Sequence, residues 1–282
     1  MTTMTTAPTA SHHATIAFIG GGNMASAIVQ GLLKSGTAPS QIQVVEPFEE
    51  QRARLMQQFG VQVNEAPGPS VADAALVVWA VKPQNFKDAA LQTGIYTKKA
   101  LHLSVAAGIR SGSIANWLGT ERVVRSMPNT PALIGKGMTA LYARSAVTAA
   151  DQTAVEQVIQ TTGEYLWLSD EAQLDAVTAL SGSGPAYVFY FLEAMIEAGT
   201  AMGLTREQSQ QLAVSTFAGA AALAGASSEP IETLRERVTS KGGTTHAALT
   251  SMAQNNVKNL FMQAMHAARQ RAHELGDEFG VA

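Results

Sequence analysis

The stretch Ile16-Ala-Phe-Ile-Gly20-Gly-Gly22-Asn-Met-Ala25 decides the fold. Its apolar start predicts a short buried strand, and a helical stretch begins at Met24. The residues between them match the pattern G-x-G-x-x-A, whose glycines allow a tight turn and a close approach of the backbone to a pyrophosphate. The N–H groups that begin the helix then favour phosphate. Glycines alone predict no more than a tight turn, but this strand–turn–helix context predicts a dinucleotide-binding βαβ unit.

Short apolar runs alternate with helical stretches from Thr15 to about Leu168, which is the pattern of βαβ units around a parallel sheet. The runs are continuous rather than alternating in polarity, as in strands that are covered on both faces. Trp79 and His102 lie inside such runs, so we expect both to pack in the core. The predicted strands after the first are residues 42–45, 75–81, 100–105 and 122–125, and the first two helices are 24–34 and 49–58.

Beyond Asp170 the sequence becomes helical, with predicted helices at 186–202, 206–224, 231–239 and 244–275 and a break near 254–256. Hydrophobic residues make up 46% of the chain and charged residues only 15%, so apolar surface is left over for a subunit interface. The sequence therefore predicts an α/β protein of three regions. These are a disordered leader (1–14), a Rossmann-type parallel-sheet domain that binds a dinucleotide (15–170), and an all-helical dimerisation and substrate-binding domain (171–282).

Composition excludes several classes of function. The net charge of −3 gives no electrostatic reason to expect nucleic-acid binding. No run approaches the roughly 20 apolar residues that span a bilayer, so we expect no membrane partner. The chain has no cysteine, which excludes disulfides, thiolate metal sites and a cysteine nucleophile and fits a reducing, cytoplasmic location. Nothing at the N-terminus resembles a targeting signal.

Glu46 follows the second predicted strand, where Rossmann domains place the residue that contacts the adenine ribose. A carboxylate there accepts hydrogen bonds from a free 2′-hydroxyl and repels a 2′-phosphate, so it favours NADH. Arg52 and Arg54 lie close behind and would suit the 2′-phosphate of NADPH instead. The simpler alternative is that Glu46 begins the next helix as an N-terminal acid.

Six blocks in order give the sequence a family resemblance: it is similar to the pyrroline-5-carboxylate reductases from Ile16 to about Leu275. The blocks are Phe18-Ile-Gly-Gly-Gly-Asn-Met24, Ala80-Val-Lys-Pro83, Ser104-Val-Ala-Ala-Gly108, Arg125-Ser-Met-Pro-Asn-Thr-Pro131, Leu180-Ser-Gly-Ser-Gly-Pro-Ala-Tyr187 and Val238-Thr-Ser-Lys-Gly-Gly-Thr-Thr245.

The first four blocks imply the cofactor contacts for NADPH or NADH. Two of them follow predicted strands, where ligands bind in an open α/β sheet. For Lys82, a phosphate contact, a catalytic acid and a solvated side chain remain alternatives. Asn129 lies between two prolines in a stiff loop, and the resemblance places its amide near the nicotinamide. With Glu46, the predicted cofactor residues are Ile19, Gly20, Gly21, Gly22, Asn23, Met24, Ala80, Val81, Lys82, Pro83, Ala106, Ala107, Gly108 and Asn129.

The last block predicts the substrate site. A glycine turn precedes a helix, whose free N–H groups suit a small carboxylate, although a plain threonine N-cap is the simpler alternative. The resemblance implies that this loop holds the substrate carboxylate and that Thr245, the one predicted catalytic residue, bonds the ring nitrogen. The predicted substrate-binding residues are Ser240, Gly242, Gly243, Thr244 and Thr245. Lys241 stands where the family commonly has proline, and Glu229 matches an acidic family position only loosely, so neither receives a role.

The resemblance implies hydride transfer from NAD(P)H to the cyclic imine 1-pyrroline-5-carboxylate, which gives L-proline without a metal. The Ala- and Gly-rich helices and the low charged fraction predict a homodimer through residues 171–275, and the resemblance implies that such dimers assemble further, often to a decamer. Two other functions remain open. A β-hydroxyacid dehydrogenase would need a proton donor, for which Lys258 is the candidate, and a non-catalytic NAD(P) sensor would leave the second glycine loop unexplained.

Overall fold

One eight-stranded sheet organises the first part of the computed structural model, which describes residues 15–280 of the chain. The predicted leader at 1–14 lies outside the described residues. In sheet order the strands are β3, β2, β1, β4, β5, β6, β7 and β8. Their bounds are β1 Thr15–Ile19, β2 Ile42–Val45, β3 Gln62–Asn64, β4 Ala74–Trp79, β5 Leu101–Ser104, β6 Val123–Met127, β7 Gly137–Ala143 and β8 Gly163–Trp167.

The sheet is mostly parallel, as the sequence predicts. The six strands from β3 to β6 in the sheet order all run in one direction, while β7 pairs with β6 in antiparallel fashion and β8 runs parallel to β7. The strand order reverses at β1. The next strand in the chain, β2, lies on one side of β1, and β4 lies on its other side. In such sheets this switch point is where ligands bind, and the glycine loop follows β1 there.

Six helices accompany the sheet, and a seventh returns to it from the end of the chain. The six are α1 Asn23–Lys34, α2 Glu49–Phe59, α3 Pro83–Gly94, α4 Ser111–Leu118, α5 Ala149–Ile159 and α6 Gln173–Val177. Two buried apolar clusters form the core. One contains Phe18, Ile28 and Leu103, and the other contains Trp79, Phe86 and Ile109.

Trp79 and His102 pack in this core, as predicted, and they form a polar pair. The Trp79 Nε1–H donates to His102 Nδ1 at 3.1 Å, and neither side chain is more than 1% exposed. Burial lowers the pKa of His102 from 6.5 to about 4. The backbone of Thr97 opposes this shift in the pKa, and the Arg122 charge adds a smaller lowering. Protonation at Nδ1 would also remove the acceptor of Trp79.

Acid should therefore destabilise the fold through His102. Since the folded pKa lies below the unfolded value, the unfolded chain binds the extra proton first, and stability falls as the pH drops from 6.5 to 4. We expect the free energy of unfolding to fall by roughly 3 kcal/mol more in the parent than in His102→Gln, whose side chain does not titrate. Urea unfolding at several pH values measures this difference. Parallel pH profiles for the two proteins would contradict it.

Residues 183–269 form a second, helical unit, and residues 270–280 belong with the sheet. The helices of this second unit are α7 Gly184–Ala201, α8 Arg206–Ala226, α9 Ile231–Arg237 and α10 Thr244–Gln254. The last helix, α11 Val257–Phe279, begins in the second unit and ends in the sheet unit. The break predicted near 254–256 is present. Asn256 takes a left-handed conformation there with φ 56°, which asparagine tolerates better than most residues.

The helical unit buries little of its own apolar surface. Its buried residues are Ile196, Gly199, Ser209 and Ala213. Many large apolar side chains are exposed, among them Phe189, Tyr190, Leu212, Leu223, Met252 and Leu260. A surface of this kind indicates an interface with another protein surface. Among residues 15–280, no helix combines the length and apolar content needed to cross a membrane.

Candidate active site

The glycine loop after β1 is shaped by two different constraints. Gly20 has a φ of +93°, and a Cβ there would lie 2.6 Å from the carbonyl oxygen of Ala80. The protein itself therefore requires glycine at this position. Gly22 is exposed, and no protein atom lies within 4 Å of the position that its Cβ would take. The space above Gly22 is open, as a pyrophosphate site at this turn requires.

The start of α1 faces this open space without a competing group. Gly22 is its N-cap, no side chain caps the helix, and no acidic residue stands in the first turn. The partial positive charge of a helix N-terminus thus stays available for an anion. The adjoining cleft has a volume of about 690 Å³, within the range of small-molecule sites. It is lined by six predicted cofactor residues, Gly20, Gly22, Glu46, Ala80, Val81 and Lys82.

Glu46 is buried, and both of its carboxylate oxygens already hold backbone N–H groups. Oε2 accepts from Gly21 N at 2.8 Å, and Oε1 accepts from Phe48 N at 3.0 Å, just before α2. Glu46 therefore fixes the glycine loop against the start of α2, which the sequence did not predict. A carboxylate has room for further donors, so the ribose contact stays a prediction. Arg52 donates to the carbonyls of Glu46 and Pro47, whereas Arg54 lines the cleft.

The other predicted cofactor segments share one edge of the sheet. Pro83 begins α3 directly after β4, Ala106–Gly108 follow β5, and Asn129 follows β6. Because these strands are parallel to β1, their carboxyl ends meet at the edge that carries the glycine loop. Ala106–Gly108 and Asn129 do not line the cleft beside Gly22. Ile19 and Gly21 are buried.

Asn129 holds two neighbouring segments together. Its Nδ2 donates to the carbonyl of Ser181 at 3.2 Å, and its Oδ1 accepts from Met138 N at 2.9 Å. One amide hydrogen is left over, so contact with a ligand is still chemically open. The Ser181 hydroxyl is buried and has no hydrogen-bond partner among residues 15–280. Such an unpaired group costs free energy unless a ligand or water bonds it.

The second glycine loop forms a turn in the helical unit. Gly242 has a φ of +75°, and Gly243 N donates to Ser240 O at 3.0 Å. Gly243, rather than a threonine, is the N-cap of α10, and no side chain caps this helix. The predicted alternative of a threonine N-cap is therefore wrong. Ser240, Thr244 and Thr245 are all exposed, so their hydroxyls are accessible.

An ion pair between a buried arginine and a half-buried carboxylate was not predicted from the sequence. The Arg125 guanidinium lies 3.1 Å from Glu171, whose carboxylate also accepts from Ser111 N at 2.6 Å and from the Ser111 hydroxyl. Glu171 thereby caps the start of α4. A signal was present, since an arginine inside a predicted buried strand requires a carboxylate partner. Glu229, to which no role was assigned, pairs with Arg237.

Comparison with known proteins identifies the chain. A pyrroline-5-carboxylate reductase of Pseudomonas aeruginosa is 47% identical over 94% of this chain and 98% of its own length. The chain belongs to the pyrroline-5-carboxylate reductase family. A family model described as pyrroline-5-carboxylate reductase dimerisation matches residues 171–275, and one described as coenzyme F420-dependent NADP oxidoreductase matches residues 15–108.

Solved structures agree with the family. A pyrroline-5-carboxylate reductase of Coxiella burnetii superposes with a TM-score of 0.86 at 37% identity, covering 93% of this chain and 98% of its own. The Plasmodium falciparum pyrroline carboxylate reductase, crystallised with NADP, gives 0.84 at 28% identity with the same coverage. The chain is thus an NAD(P)-dependent oxidoreductase, and the sequence-predicted fold class is confirmed. The dimerisation match also supports an oligomer.

Proposed function

We propose that this pyrroline-5-carboxylate reductase family member reduces 1-pyrroline-5-carboxylate to L-proline with NADPH or NADH through the residues predicted from its sequence. The observation that carries the proposal is the open space above Gly22 at an uncapped helix start, in a chain of this family. The predicted domains, 15–170 for the dinucleotide and 171–282 for dimerisation and substrate, are kept. The compact units divide differently, because the helical unit covers 183–269 and residues 270–280 belong with the sheet, while the dimerisation family match covers 171–275.

The sheet unit binds and orients the cofactor, which supplies the hydride when bound. The N–H groups of Asn23 and Met24 begin α1 and hold the pyrophosphate. The backbone of Ile19–Gly22, Ala80–Pro83 and Ala106–Gly108 shapes the rest of the binding edge, and the remaining amide hydrogen of Asn129 orients the nicotinamide. These residues fit a dinucleotide because they line one edge of parallel strands.

The helical unit holds the substrate. The exposed hydroxyls of Ser240 and Thr244 and the N–H groups after Gly243 bind its carboxylate, and the hydroxyl of Thr245 bonds the ring nitrogen. An imine protonated at nitrogen is already electrophilic at carbon, so the chain needs to orient it and exclude water rather than provide a nucleophile.

A turnover assay with 1-pyrroline-5-carboxylate and NADPH or NADH tests the function. We expect turnover by the parent and a fall in kcat/KM of about tenfold in Thr245→Val, the loss expected from one hydrogen bond. Thr250→Val, on the exposed surface of the same helix, should keep the parental rate. Absence of turnover by the parent would contradict the function, and a fully active Thr245→Val would contradict the role of Thr245 alone.

The predicted preference for NADH rests on the negative charge of Glu46. We expect Glu46→Ser to shift the ratio of Kd values for NADH and NADPH by about tenfold towards NADPH. Glu46→Gln removes the charge but keeps the length, and it should shift the same ratio. Glu46 also holds the glycine loop, so a variant that changes only the loop geometry would weaken the binding of both cofactors equally. Fluorescence titration of both cofactors separates these outcomes. An unchanged ratio in both variants would contradict the ribose contact.

We also propose that the helical unit forms a homodimer, that dimers assemble to a decamer, and that the enzyme works in the cytoplasm. The dimerisation family match and the exposed apolar side chains of residues 183–269 support the dimer. A fully active monomer in a sedimentation experiment would contradict it.

A further inference from the structure

The last residues of α11 pack directly on the loop Ala106–Gly108. We call residues 270–280 the terminal helix segment, and they belong to the sheet unit. Gly108 has a φ of +74°, and a Cβ there would lie 2.9 Å from the Leu275 Cβ. A Cβ on Gly276 would lie 3.6 Å from the Gly108 carbonyl oxygen. Helix and loop backbones therefore touch, with no side chain of the loop between them.

Three further contacts hold the segment in place around this touching point. Arg110, two residues after Gly108, forms an ion pair with Asp277. The Ser113 hydroxyl donates to Gly280 O at 2.7 Å. Phe279 packs against the buried cluster that contains Ala106 and Ile109. The loop is thus covered by a helix that has further contacts with the sheet unit at residues 277–280.

We propose that the terminal helix segment is a positioning element for the cofactor, with Leu275 acting through the Ala106–Gly108 loop. This inference rests on the proposed cofactor contact of that loop. Ala106 is held by the buried cluster, but Gly108 is a left-handed glycine, and glycine has a wide range of accessible backbone conformations. Leu275 supplies a fixed surface for it, so that the loop already has its binding position before the cofactor arrives.

The consequence is a specific kinetic pattern. If Leu275→Gly, which removes the Cβ that lies against Gly108, lets the loop leave its binding position for most of the time, the apparent Kd rises by the inverse of the competent fraction. With one fifth of molecules competent, the Kd for NADPH rises about fivefold. At saturating NADPH the bound cofactor restores the loop, so kcat should change little. A merely structural role would lower the melting temperature without moving this Kd.

The experiment titrates NADPH fluorescence and measures steady-state rates for Leu275→Gly and for Asp277→Asn, which weakens the contacts of Asp277 with Arg110 and His273. We expect a raised Kd and KM for NADPH with kcat nearly unchanged in Leu275→Gly, and a smaller rise in Asp277→Asn. Arg271→Ala is the matched control, because Arg271 is exposed on the same segment and bonds only to Glu274 and Glu278 there. It should bind NADPH as the parent does.

Two results would overturn the inference. If Leu275→Gly, or Asp277→Asn where the first variant does not fold, binds NADPH with the parental Kd, the segment does not position the loop. Ala107→Val separates this failure from failure of the proposed function, since it acts on the loop itself. An Ala107→Val variant with parental Kd would remove the loop from the cofactor site and the inference with it. Weakened binding by Ala107→Val, together with unchanged binding by Leu275→Gly, would overturn the inference alone.

Discussion

Gly22→Val should fold as stably as the parent and bind NADPH about a hundredfold more weakly. The substituted side chain meets no protein atom, because nothing lies within 4 Å of the Cβ position. It would instead occupy the space in front of the α1 N-terminus and keep the pyrophosphate from the first N–H groups. Loss of two hydrogen bonds to a charged group, at about 1.5 kcal/mol each, corresponds to about a hundredfold in Kd.

Gly20→Ala is the matched control, with the opposite pattern. Its methyl group would lie 2.6 Å from the Ala80 carbonyl oxygen, and the backbone has a left-handed φ. We expect this variant to lose roughly 2 kcal/mol of stability, whether or not cofactor is present. Thermal unfolding without cofactor and fluorescence titration with NADPH distinguish the two glycines. A Gly22→Val variant that binds NADPH normally would show that the open space is not the pyrophosphate site.

The contrast between these glycines shows how far the sequence could predict the site. A local pattern, strand then glycine turn then helix, is enough to predict the loop and its place at the sheet edge. The same holds for the break at Asn256 and for the strand ends at Ala80–Pro83 and Ala106–Gly108. In each case the determining interactions lie within a few residues, so the chemistry of single side chains and their spacing carries the information.

Features that depend on distant pairing were not predicted. Strands β3, β7 and β8 of the sheet are missed, and the antiparallel direction of β7 beside β6 is a property of their pairing that periodicity does not encode. Glu46 accepts a hydrogen bond from Gly21, which lies 25 residues earlier in the chain. Leu275, near the end of the chain, lies against Gly108. Side chains with a local reason to be present, such as an acid before a helix, can acquire a second role that only the folded chain defines.

Glu171→Ala should lower the free energy of unfolding by about 4 kcal/mol, within the range found when a buried ion pair loses one partner. Arg125 is only 4% exposed, so its charge would remain buried without a carboxylate. Ser111 would also lose the acceptor of its backbone N–H at the start of α4. Both effects act on one folded unit, and urea unfolding at neutral pH measures their sum.

Charge burial and the lost cap can be separated by a second substitution. Arg125→Met in the Glu171→Ala background removes the unpaired cation while leaving Ser111 without its acceptor, and we expect it to recover most of the lost stability. Glu278→Ala breaks an exposed ion pair with Arg271 and should change stability little, because solvent already screens that pair. If the double variant stays as unstable as Glu171→Ala, the dominant role of Glu171 is to cap α4. Stability equal to the parent in Glu171→Ala would contradict the expected cost of leaving the Arg125 charge without a carboxylate partner.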